Sequence, residues 1–136
     1  MQPSILIRFS VGCYRSDDKP EDRSRVSIAL REAAIVKTFS AELPLLAQSG
    51  GRVIHGIGLW AGELEPCLFL ETVQLLSSSQ SSLDLARQVE YLRSWSTRTA
   101  QRLAVAAVQD VVLVEILESD SRLAQLVSKP DAEAAQ

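Results

Sequence analysis

The sequence is poor in the residues that carry most chemistry. It has one histidine, two cysteines and one methionine, and aromatics make up only 5% of 136 residues. A metal centre needs three or four ligands in workable spacing. His55, Cys13, Cys67 and scattered carboxylates offer no such pattern, so no metal and no cofactor is expected. Cys13 and Cys67 lie far apart without C-x-x-C spacing, which excludes a disulfide scaffold and suggests two buried, reduced thiols. No G-x-S-x-G elbow is present, and Gly56-Ile57-Gly58 lacks the third glycine and the strand-to-helix setting of a dinucleotide loop. No run approaches the ~20 apolar residues of a membrane-crossing helix, and Met1–Ser4 does not open a signal peptide. A cytoplasmic protein is the expectation. A net charge of -3 argues against a dedicated nucleic-acid binder, since such proteins gain affinity by neutralising phosphates.

What is present suits one folded domain. Hydrophobic residues reach 46% and charged residues 23%, and a chain of this length can bury a core without staples. We expect a single domain over 1–128 and a flexible tail over 129–136. Ser4–Gly12 alternates as a strand, with Ile5, Ile7, Phe9 and Val11 on one face and Leu6, Arg8 and Ser10 on the other. Pro20 and Ser24 announce a helix to about Ser40, with Val26, Ala29, Leu30, Ala33, Val36 and Phe39 as its apolar stripe. Arg52–Trp60 and Cys67–Leu75 read as a hairpin. Ser77–Ser82 reads as a low-complexity linker. A long helix follows over 83–109, with a stripe from Leu85 through Val89, Leu92, Ser96, Thr99 and Leu103 to Ala106. Val111–Leu117 is nearly all apolar and reads as a central strand. A short helix is expected over 119–127.

The order strand, helix, strand, strand, helix, strand predicts an α+β, ferredoxin-like βαββαβ fold. It has a four-stranded antiparallel sheet ordered 4-1-3-2 and two helices on one face. That order places Val111–Leu117 at an edge, at odds with its apolar character.

The other face would stay open. Strand alternation assigns Arg8, Glu71 and Glu115 to it, and His55 as well if Gly56 and Gly58 lie under the helices. Leu6, Ile57, Leu59, Cys67, Phe69 and Leu113 would lie between them. So apolar a face should meet a partner. The leading expectation is a non-enzymatic binding protein that forms a homodimer through this face, with Arg8 and Phe69 in contact. Its partner would be a protein or a small anionic ligand. An alternative is an enzyme of the dimeric ferredoxin-like barrel kind, with His55 as general base, Glu71 or Glu115 orienting it and Arg8 stabilising an anion. A third reading uses Arg87, Arg98 and Arg102 on the long helix to bind a nucleotide or another anion.

The segment Gly58–Pro66 resembles a G-x-W-x-G-x-x-E hairpin of small uncharacterised ferredoxin-like proteins of phages, plasmids and bacterial genomes. The matched residues are Gly58, Trp60, Gly62 and Glu65. The resemblance implies the fold, and a phage or mobile-element accessory role without an agreed activity.

Overall fold

The computed structural model describes residues 4–45, 50–76, 82–118 and 122–130. It is an α+β domain with two α-helices and a five-stranded antiparallel sheet. The strands are β1 (Ser4–Gly12), β2 (Gly51–Trp60), β3 (Glu63–Leu75), β4 (Val111–Glu118) and β5 (Arg122–Ser128). The helices are α1 (Arg25–Glu42) and α2 (Ser82–Ala107). The sheet order is β2-β3-β1-β4-β5.

The first four strands take the expected order, and the fifth is the correction. A strand stands at 122–128 where a short helix is expected. It pairs along β4 from Val111↔Ser128 to Leu117↔Arg122. The apolar run Val111–Leu117 is therefore interior to the sheet, which removes the conflict between its composition and an edge position. Of the linker expected over 77–82 and the tail expected over 129–136, residues 77–81 and 131–136 lie outside the described residues, and Ser82 begins α2. Lys129 is tied back, its N–H donating to the Asp110 carbonyl at 2.7 Å.

Alternation decides the core. Ile5, Ile7, Phe9 and Val11 are buried with Leu68 and Leu70 of β3 and Val112, Val114 and Ile116 of β4. Phe9 meets Phe39 of α1 at 6.0 Å and Trp95 of α2 at 5.8 Å between ring centroids, both edge to face. Trp95 is thus a core residue, 1% exposed. The polar middle of α2 is also buried, and the Ser96 hydroxyl donates to the Leu92 carbonyl at 2.7 Å. The Ser96 hydroxyl is thus satisfied within the helix, whereas the Thr99 hydroxyl and the Trp95 indole N–H are buried without a partner among the described residues.

In α1 the Ser24 cap holds, accepting from the Ser27 N–H at 3.2 Å. The buried side is Ile35, Phe39 and Glu42. The expected stripe is displaced, because Val26 and Leu30 stand in solvent, 71% and 68% exposed. The expected stripe omits Ile35, and the side of the helix that the sheet covers is centred on Ile35 and Phe39.

The β2–β3 connection is tighter than a six-residue loop. Trp60 pairs with Glu63 across Ala61 and Gly62, whose φ values are 49° and 80°. Both values are positive, as in a type I′ turn. Ala61 is strained there, while Gly62 is not. Ala61→Asn is expected to stabilise the fold by about 0.5–1 kcal/mol, read as a higher urea midpoint, because Asn tolerates this region and Asn-Gly suits the turn. A lower midpoint would contradict the turn geometry.

Candidate functional site

Both helices lie on one face of the sheet, packed against the odd-numbered residues of β1. The register then sets the opposite, helix-free face. β1 contributes Leu6, Arg8 and Ser10; β3 contributes Cys67, Phe69, Glu71, Val73 and Leu75; β4 contributes Leu113, Glu115 and Leu117. β2 contributes Arg52, Ile54, Gly56, Gly58 and Trp60.

Glu71 is the centre of this face. It is 1% exposed although, among the described residues, no helix covers it. Its two carboxylate oxygens are divided between two arginines. Arg8 Nε donates to Oε2 at 2.5 Å, and Arg52 donates to Oε1 from Nε at 2.9 Å and Nη2 at 2.6 Å. Register brings them together, since Glu71 is opposite both Arg8 and Arg52 in its two neighbouring strands. Arg8 also faces Glu115 across β1–β4, with 3.9 Å between Nη1 and Oε1. Burial opposes ionisation of Glu71, but hydrogen bonds and charge from Arg8 and Arg52 outweigh it and lower its pKa. Around this cluster, Val73 and Leu75 are 49% and 50% exposed.

The structure thus joins Arg8, Glu71, Glu115 and Phe69 on one face, as the alternation predicts, and adds Arg52. It does not place His55 there. His55 pairs with Leu68, a core residue, so it lies on the helix side at the β2 edge. Its Nδ1 is 3.4 Å from Glu32 of α1, and its side chain is 67% exposed. Glu71 and Glu115 therefore cannot orient it. Ile57 and Leu59 share the helix side and stand exposed at the hairpin.

Gly56 and Gly58 do not lie under the helices. They do mark close approaches, but by side chains of the helix-free face. A Cβ on Gly56 would fall 2.5 Å from the Phe69 ring, and one on Gly58 would fall 3.0 Å from Trp60 Nε1.

The helix arginines do not form one site. Arg102 is ion-paired with Glu42, and with Arg98 it lines a hollow beside Thr38 and Pro130. Arg87 lines a different hollow, beside Leu75 and Tyr91. Arg87 and Arg98 are eleven positions apart on α2, about 16 Å along a helix, too far for one small anion. The cysteines offer no ready nucleophile. Burial pushes the Cys13 thiol up to about 12 and the Cys67 thiol up to about 11.

A second feature lies at the end of the sheet, where β1 runs into the 13–18 loop beside the hairpin turn. Arg31 of α1 holds this loop. It donates to both oxygens of Asp18 at 2.7 Å and to the Cys13 carbonyl at 2.8 Å. Hydrogen bonds from Arg31 bring the Asp18 pKa down to about 2. Arg23 stacks over Tyr14, 4.0 Å from the ring centroid, and donates to Glu63 at 2.6 Å. Sequence reading missed this construction because periodicity carries no signal for contacts made by a loop.

No protein-family model and no curated protein matches the chain. Among solved structures it is similar to a phage SAM lyase in its apo state, with a TM-score of 0.51 and 15% identity over 93% of this chain and 90% of that one. It is likewise similar to a phage SAM lyase in complex with S-methyl-5′-thioadenosine, with a TM-score of 0.50 and 17% identity over 94% of this chain and 92% of that one. At these identities the likeness is one of fold.

Proposed function

We propose that this chain is a small binding protein with a ferredoxin-like core and an appended fifth strand, and that it works as a homodimer through its helix-free sheet face. The observation that carries this reading is the buried, doubly clamped Glu71 at the centre of a face bordered by Ile54, Val73 and Leu75. An isolated surface rarely keeps a charged network beside apolar side chains that stand half in water. A second copy would bury those side chains, while the arginines neutralise the carboxylate inside the contact. The fold likeness to a phage protein supports a phage or mobile-element accessory role.

Val73→Glu is the direct test. It adds a charge to the face and removes no core contact. The variant is expected to weaken self-association by at least about tenfold in sedimentation, with an unchanged circular dichroism spectrum. Unchanged self-association would remove this face from the interface.

One observation favours a second reading, catalysis on a SAM-type substrate. The likeness to the phage enzyme extends over nine-tenths or more of both chains. Arg8, Glu71 and Glu115 are then the side chains to test, and His55 is not among them. Incubation with S-adenosylmethionine, followed by chromatography for S-methyl-5′-thioadenosine, distinguishes the readings. Product formation would favour the enzyme, and its absence the binding protein.

A further inference from the structure

The hairpin motif has a consequence beyond its turn. Trp60 and Glu65 both line a cavity of about 330 Å³ at the end of the sheet, together with Tyr14, Arg15, Glu63 and Asp110. Gly12 makes the room. A Cβ at that position would fall 2.6 Å from Glu65 Oε1, so a glycine ends β1 and the carboxylate occupies the space. Glu65 Oε2 accepts from the Tyr14 N–H at 3.0 Å, and among the described residues Oε1 has no hydrogen-bond donor. Burial raises the Glu65 pKa, as expected of a carboxyl short of partners.

The cations are unequal. Arg23 is committed to Asp18 and Glu63. Arg15 has no ion pair among the described residues; its Nε, like that of Arg23, is buried without a hydrogen-bond partner. Among the described residues, the cavity therefore presents one guanidinium without an ion pair, two carboxylates without one, Glu65 and Asp110, and an indole. A phosphate would meet Arg15 but also Glu65 and Asp110, and a simple cation would meet Arg15. A zwitterion answers both signs of charge, its anion on Arg15 and its cation on the carboxylate side, and the volume sits at the small end of ligand pockets.

We propose that this cleft binds a free α-amino acid with an apolar or aromatic side chain, its carboxylate on Arg15, its ammonium on Glu65 and its side chain against Trp60. The proposal does not depend on the sheet-face dimer.

Calorimetric titration of the intact protein with L-phenylalanine and L-methionine tests it. At least one should bind at millimolar concentration. N-acetyl-phenylalanine and phenethylamine, each lacking one charge, should bind about tenfold more weakly than phenylalanine. Arg15→Gln should weaken phenylalanine but leave phenethylamine unchanged. Glu65→Gln should weaken phenylalanine but leave N-acetyl-phenylalanine unchanged. Arg15 is part-exposed and its replacement spares the core, so that arm stands even if Glu65→Gln fails to fold. Absence of binding by both amino acids, equal affinity for the singly charged analogues, or tighter binding of AMP lost with Arg15→Gln would each overturn the proposal.

Discussion

Replacing Phe9 by alanine is expected to remove about 3–5 kcal/mol of stability, the range for truncating a buried aromatic side chain. Phe9 is wholly buried on the central strand of the sheet. Its ring is the one that touches both Phe39 and Trp95, so it links β1 to α1 and α2 at once. Truncation loses the transfer energy of the ring, leaves a cavity and breaks two edge-to-face contacts. Domains of this size are stable by roughly 5–15 kcal/mol, so the variant would be partly unfolded at 37 °C or close to it. Phe9→Leu, which keeps most of the volume, should cost less than half as much. Urea unfolding checks both. A loss below about 1 kcal/mol for Phe9→Ala would mean that the helices do not close on β1 as described.

The second large effect is electrostatic. Changing Arg8 and Arg52 together to methionine strands the Glu71 carboxylate, and a loss of about 3–5 kcal/mol is expected at pH 7. Glu71→Met should cost far less, because the arginines it releases can reach water; their side chains are 35% and 67% exposed. The triple change to methionine should recover most of the deficit of the double variant. The pH dependence has opposite signs in the two proteins. In the wild type the folded-state pKa of Glu71 lies below its ordinary value of 4.5. Its contribution is present above that value and is lost as pH falls through the folded pKa. In the double variant burial acts without compensation and raises the pKa, so acidification protonates the stranded carboxyl and narrows the deficit. Urea midpoints at pH 7 and near pH 4 check this. A deficit that does not change with pH would mean that the cost is packing rather than charge.

Alternation and order made much of this fold legible. Strand β1 is placed residue for residue by the period-two run from Ile5 to Val11, and Ser24 marks the start of α1. The run Val111–Leu117 is nearly all apolar and reads as an interior strand, which the four-strand order could not accommodate. The strand itself stayed hidden. Arg122–Ser128 mixes polar and apolar residues without clear period, and its pairing with β4 is tertiary information.

For the site, facing rules were enough to join Arg8, Glu71 and Glu115. They failed at β2, where two glycines are compatible with either face. Only the neighbours decide, and those are Phe69 and Trp60 rather than a helix. A one-residue error in parity moves every side chain of a strand, and here it moved His55, Ile57 and Leu59 together. Arg52 escaped notice for the same reason, since its role depends on being opposite Glu71.

The most direct measurement is the solution mass of the unmodified protein by sedimentation equilibrium across a wide dilution series. The account predicts a species of twice the 14.9 kDa chain mass at high concentration, dissociating on dilution. A single-chain mass throughout, with Val73 and Leu75 left in water, would contradict it.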